Sequence, residues 1–237
     1  MIAQSLVRRI LGETQEFWNE EVKKQYFKEI ARGKEIGHRI ADLVDEKTTA
    51  LLIKSADYVT RRQCDDGGRE RPRSMGDIWV ESNGIFHPVN VKTGVSETGG
   101  QPNMASLKKI LGALLALQID SYYLLVVKLK VGKKLSSSVY FVDMLDYLDY
   151  FTFDSGPGQI MMKADAFFAA VSGAGAPAKL TIPERVDRLM EMYEDGERRL
   201  AANRRRTLQE FHRRVETFKQ LRDYAVTKET QASLNLQ

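Results

Sequence analysis

Ser74-Met-Gly-Asp-Ile-Trp-Val-Glu-Ser-Asn-Gly-Ile-Phe-His-Pro-Val-Asn-Val-Lys-Thr-Gly94 reads as a two-stranded hairpin whose turn is Asn83-Gly84. A two-residue type I′ turn needs positive φ at both central positions, which Asn and Gly adopt at least cost. Placing them there sets the register: Ser82 opposite Ile85, Val80 opposite His87, Ile78 opposite Val89 and Asp77 opposite Asn90. Side chains alternate along a strand, so Asn90 and Lys92 share one face while Ile78, Val80, Val89 and Val91 share the other. Pairs alternate outward from the turn between hydrogen-bonded and non-bonded, which makes Asp77/Asn90 a non-bonded pair with Cα atoms about 4.5 Å apart. That spacing suits a shared metal ion. Pro88, which has no N–H to give, falls at a non-bonded position toward the first strand and so fits the register.

The 237 residues are 43% hydrophobic and 29% charged, enough for one large globular domain or a domain with an appended helical lobe. The longest apolar tract, Ile110 to Ile119, is too short for a membrane span and fits a buried helix. The N-terminal stretch carries Arg8, Arg9, Glu13 and Glu16 without an apolar signal region, so a cytoplasmic location is expected. A single Cys64 excludes an internal disulfide, and with three His in the chain a structural zinc site is not expected; oxygen ligands suit any metal better. The net charge of +4 permits nucleic-acid binding without requiring it.

Working outward from the hairpin, residues 1–47 read as helical, with Phe17, Val22, Phe27 and Ile30 in one apolar stripe, Ile36, Ile40, Leu43 and Val44 in a second, and Gly33 between them. Leu51 to Val59 reads as a strand, followed by a loop whose Arg61, Arg62, Arg69, Arg71 and Arg73 surround Asp65, Asp66, Gly67 and Gly68. Beyond the hairpin, Thr93 to Pro102 reads as a connection, with Asn103 the N-cap of a helix carrying Leu107, Ile110, Leu111, Leu114 and Leu117. Tyr122 to Lys130 reads as a central strand covered on both faces, and Val139–Val142 and Gln159–Met162 as further short strands. The stretch from Asp143 to Asp154 between them has no assignment. The predicted division is a core with N-terminal helices over 1–172, a linker over 173–182, and a charged helical segment over 183–237 that Pro183 opens.

Gly76-Asp77 on one strand, Asn90-Val91-Lys92 on the next and the order αβββαβ together resemble the PD-(D/E)xK nuclease superfamily, and within it the type II restriction endonucleases. The resemblance covers about residues 34–130. It implies an α/β fold with a restriction-endonuclease-like mixed β-sheet core flanked by helices, here with a C-terminal helical extension. It implies that Asp77 is the metal-ligating aspartate, Lys92 the catalytic lysine and Asn90 the occupant of the second acidic position, with Val91 a further metal contact. The expected cofactor is Mg²⁺, with no organic cofactor. Two departures stand out: Gly76 occupies a position that often holds Pro, and Asn90 replaces Asp or Glu. An Asn carbonyl oxygen ligates a hard cation but brings no charge, so another carboxylate is called for. Related nucleases present a Glu from the helix before the first strand, which makes Glu35 the candidate.

Taken singly, Asp77 and Lys92 read as exposed charges on an amphipathic hairpin; their register, the apolar opposite face and the element order favour chemistry. His87 reads as a satisfied core or edge histidine, and Trp79 and Phe86 as packing groups. Ser96, Glu97, Thr98, Gln101 and Asn103, just beyond Lys92, read either as DNA contacts or as a plain connection with a helix cap. Between Arg198 and Arg222 nine basic residues, Arg204 and Arg205 among them, face only Glu210 and Glu216, a local charge of about +7 that suits phosphates or a solvated helix. Leu200, Leu208, Phe211, Val215, Phe218 and Leu221 give the same helix an apolar stripe, expected to turn inward. The functional expectation is a sequence-specific, Mg²⁺-dependent endonuclease that binds double-stranded DNA as a homodimer, with no membrane partner. The alternatives are a structure-specific repair or recombination nuclease, and a non-catalytic DNA-binding protein with a decayed site.

Overall fold

The computed structural model describes residues 1–32, 36–54, 60–61, 75–95, 103–130, 135–173 and 177–234. The chain separates into two compact units, Met1–Tyr193 and Glu194–Gln237. The first is α/β. Helices α1 (Gln4–Glu21), α2 (Gln25–Arg32) and α3 (Ile36–Lys54) precede strand β1 (Thr60–Arg61), the hairpin strands β2 (Ile78–Ser82) and β3 (Ile85–Val95), and β4 (Asn103–Ser106). Helix α4 (Leu107–Leu115) then leads to β5 (Tyr123–Lys130), β6 (Ser136–Asp143), β7 (Phe151–Asp154), β8 (Gln159–Met162), α5 (Ala164–Ser172) and α6 (Ile182–Leu234).

A mixed sheet in the order β1-β2-β3-β5-β6 forms the centre, with β1 contributing only two residues. The hairpin has the expected register, Ser82 against Ile85 through Ile78 against Val89, and its turn residues have φ of 56° at Asn83 and 75° at Gly84. β5 runs parallel to β3, which requires a crossover, and α4 supplies it. Strand β5 is apolar on both faces because both faces are covered. Leu124 and Val126 pack with Trp79, Leu107, Ile110 and Leu114 on the α4 side. Tyr123 and Leu125 pack with Ile10, Ile78, Val89 and Val91 on the other, where Trp18, Phe27, Ile40 and Val44 also gather around Val127 and Leu129.

Several expectations need correction. Leu51 to Lys54 are helical, because Ile40, Val44, Thr48 and Leu52 continue one buried i, i+4 face of α3; residues 55–59 lie outside the described residues. Thr93–Val95 extend β3, and Asn103 belongs to a strand, so the cap of α4 is Ser106. Phe86 is 45% exposed at the hairpin end, whereas Trp79 is packed as expected. Residues 143–154 hold two single 3₁₀ turns, at Met144–Asp146 and Leu148–Tyr150, and then β7. β7 and β8 join β4 in a second, three-stranded sheet. The start of α6 belongs to the first unit, held by the buried Arg185, which pairs with Asp143 at 2.9 Å and Asp146 at 2.5 Å. In the second unit Leu208, Phe211, Val215, Phe218 and Leu221, expected to be buried, are all exposed. No helix among the described residues is long and apolar enough to cross a membrane.

Leu117 lies past the end of α4, 80% exposed and at φ 53°, where its amide donates to Leu114 O and that of Gln118 to Ala113 O. A left-handed residue closing a helix in this way is usually Gly, because a side chain costs about 1–2 kcal/mol in that region. Leu117→Gly is therefore expected to stabilise the fold by about 1 kcal/mol, read as a higher urea midpoint at unchanged slope.

A candidate active site at the end of the hairpin

Strand β2 starts at Ile78, so Asp77 stands just outside the ladder and is not a cross-strand partner of Asn90 in the strict sense expected. Its carboxylate does the work of the missing strand: the Val91 amide donates to Asp77 Oδ2 at 2.8 Å. A strand residue points its N–H and C=O to the same edge, so the Val91 carbonyl faces the side on which Asp77 lies. The Val91 side chain is buried in the apolar layer beneath.

Gly76 explains the first departure from the nuclease pattern. A Cβ there would lie 2.9 Å from Ile78 O, Val89 N and Val89 O, so no side chain fits between the two backbones. The Tyr122 hydroxyl donates to Met75 O at 2.5 Å, which anchors the turn on its other side. Burial pushes the Tyr122 phenol well above its ordinary pKa and keeps it a neutral donor.

Asp77, Asn90 and Lys92 line one cavity of about 340 Å³, as the shared face of the hairpin requires. Asn90 is 7% exposed, and its amide nitrogen donates to Met104 O on β4. That bond accounts for the second departure: a carboxylate at position 90 would oppose the Met104 carbonyl, acceptor against acceptor. The far side of the cavity is formed by Asn103, Ser106, Lys109 and Gln159, of which only Asn103 was singled out from sequence. Of their elements, β4 and β8 meet through long-range pairing, and α4 follows β4 directly in the chain.

Glu35 lies outside the described residues, and α3 presents a carboxylate that sequence reasoning missed. Asp45 Oδ1 accepts from Thr93 Oγ1 at 2.8 Å, next along β3 from Lys92. Burial raises the Asp45 pKa to about 6, with the Asp77 charge adding to the rise and the Thr93 bond and the Lys92 charge opposing it. The signal was present in the helical period: Asp45 follows the buried Val44, one turn before Thr48. His87 is a core histidine as expected, buried with Nδ1 3.0 Å from Ser121 Oγ, but it is satisfied on one side alone, since its buried Nε2 has no partner among the described residues; burial lowers its pKa.

Ser96, Glu97, Thr98, Gln101, Arg62, Arg69, Arg71 and Arg73 lie outside the described residues. Arg61 is in β1, at the register position opposite Trp79 in β2. Arg204 and Arg205 are exposed on α6 in the second unit, where Arg198, Arg214 and Lys219 pair with acids of their own helix.

Among the described residues no group of three or more His, Cys, Asp or Glu is arranged to hold a metal ion. The oxygen donors at the cavity are of another kind: the Asp77 carboxylate and the Asn90 amide oxygen, with the Val91 carbonyl on the same strand edge as Asp77, whereas Asp45, bonded to Thr93, lies with α3 on the other face of the sheet. Such a set fits Mg²⁺, which keeps several waters and uses one or two carboxylates together with substrate phosphates. It does not fit a soft or nitrogen-preferring metal. No family model matches the chain, and a search of curated proteins finds no match either.

Two predictions follow from these bonds. Asn90→Asp should destabilise the fold by about 1–3 kcal/mol despite its closer match to the nuclease pattern, because it replaces a buried donor by an acceptor; chemical denaturation reads this directly. Asp45 titrates higher in the folded than in the unfolded chain, so its stabilising contribution is full below about pH 4 and is lost as pH rises through about 6. Asp45→Asn should therefore gain stability over wild type at pH 7.5 and lose that advantage at pH 4, compared by melting at both values.

Proposed function

We propose that the protein is a Mg²⁺-dependent endonuclease of the PD-(D/E)xK kind that cuts double-stranded DNA at a short sequence, acting as a homodimer in the manner of type II restriction enzymes. The observation that carries the reading is the convergence of Asp77, Asn90 and Lys92 on one cavity at the end of a hairpin. The element sequence α3, β1, β2, β3, α4, β5 lends support, since with β4 set aside it runs αβββαβ around a mixed sheet.

Hydrolysis of a phosphodiester forms a bond from a water oxygen to phosphorus, breaks the bond from phosphorus to the leaving sugar oxygen, and protonates that oxygen. A Mg²⁺ ion held by Asp77, Asn90 and the Val91 carbonyl, with Glu35 as a further carboxylate, would supply charge neutralisation and acidify water. Lys92 Nζ, on the same face as Asn90, orients the attacking water and stabilises the negative charge that grows on the phosphoryl oxygens. Asp77 is held in place for its role by the Val91 amide, and the buried, neutral Tyr122 keeps the preceding turn from moving. The neutral Asn90 leaves the site with less negative charge than a paired-carboxylate site, which eases the approach of a phosphate and weakens metal binding before DNA arrives. The arginines of 61–73 and Arg204 and Arg205 fit contacts to backbone phosphates, which fix register without reading sequence.

The test is to incubate the protein with long unmodified DNA in Mg²⁺ or in chelator and to sequence every new end. Discrete ends at one motif are expected in Mg²⁺ alone. Lys92→Ala should slow cutting by about 10²- to 10⁴-fold with binding retained, and Asp77→Ala should abolish it. DNA that stays intact while bound would exclude catalysis and leave a DNA-binding protein.

A further inference from the structure

The cavity beside Lys92 has two walls of different chemistry. One is the hairpin edge with Asp77 and Lys92. The other belongs to the second sheet and the first turn of α4, and presents Asn103, Ser106, Gln159 and Lys109. Beside the apolar Met104, Ala105 and Ile110, this wall brings two amides, a hydroxyl and an ammonium to a space of about 340 Å³.

The strand pairing along this wall is irregular. In the β4–β8 pair Ser106 lies opposite Gln159 and Asn103 opposite Met161, but the register shifts between Asn103 and Ala105. Asn103, Met104, Ala105 and Ser106 all line the cavity, so the wall runs along the whole of this irregular strand rather than along one of its faces. Met104, the residue at the shift, is buried, and its carbonyl accepts from Asn90. The polar wall is thus tied by a hydrogen bond to the strand that carries Lys92.

Side-chain amides offer a donor and an acceptor at fixed spacing, the pattern that matches base edges, and an ammonium beside them suits a phosphate. We propose that the β4–β8 wall is the base-reading surface, with Gln159 and Asn103 bonding base edges of the duplex and Lys109 holding a backbone phosphate. The Asn90–Met104 bond then fixes the distance between the base that is read and the bond that is cut. This inference rests on the DNA-binding part of the proposed function and is independent of cleavage.

The experiment uses the full chain in chelator, where DNA stays uncut, with a pool of random-sequence duplexes and sequencing of the bound fraction. Wild type should enrich a short motif. Gln159→Ala and Asn103→Ala should each relax one position of that motif by roughly five- to a hundredfold, and Gln159→Glu should change the preferred base there. Lys109→Ala should weaken binding to all sequences alike, leave the motif intact and reduce the salt slope by about one. A melting midpoint equal to wild type for each variant excludes loss of fold as the cause. A wild type that binds no duplex or enriches no motif overturns the inference, and so does an unchanged motif in both amide variants. Wild type that enriches a motif yet fails to cut it in Mg²⁺ overturns the nuclease reading alone and leaves the base-reading wall in place.

Discussion

The hydrogen bond from the Val91 amide to the Asp77 carboxylate is the contact on which the candidate site depends. Strand β2 ends before β3 does, and the outward-facing amide of Val91 would otherwise lose its partner at the sheet edge. An unmet amide in a half-buried edge costs free energy comparable to a lost hydrogen bond. Asp77 meets that need with one oxygen and keeps the other. The same contact therefore ends the ladder and orients the carboxylate, and Gly76 allows it by letting the two backbones close to a separation that a Cβ would prevent.

The Asn90 bond to Met104 is the second constraint, and it joins two sheets that have no ladder in common. It makes position 90 a neutral donor, which leaves the cavity with one carboxylate, Asp77, beside the ammonium groups of Lys92 and Lys109. With this balance an anion meets less repulsion there than it would at a cluster of carboxylates.

The hairpin was legible because its determinants are local. Asn83-Gly84 sets the turn, alternation sets the faces, and both act within about twenty residues, so Asn90 and Lys92 fell on the expected side. Strand β5 and strand β8 were legible for the same reason, as short β-favouring runs bounded by turn residues. The reading of Leu51 to Val59 as a strand failed over Leu51 to Lys54 because a short apolar run has no period of its own; only the buried Ile40, Val44 and Thr48 one to three turns earlier make Leu52 helical. The N-cap assigned to Asn103 failed because a strand claimed that residue first, through β8, more than fifty residues away.

By itself the sequence determined the α/β character, the turn and register of the hairpin, the common face of Asn90 and Lys92, and the apolar layer under Val89 and Val91, all consequences of backbone geometry and side-chain period. Tertiary structure alone decided that Asp77 would bond the Val91 amide, that Asn90 would bind Met104 and so must be an amide, that Asp45 would lie within reach of the Lys92 and Asp77 charges, and that Lys109 and Gln159 would complete the cavity. Each of these depends on where two segments distant in the chain come to rest, and no local preference encodes the separation between them.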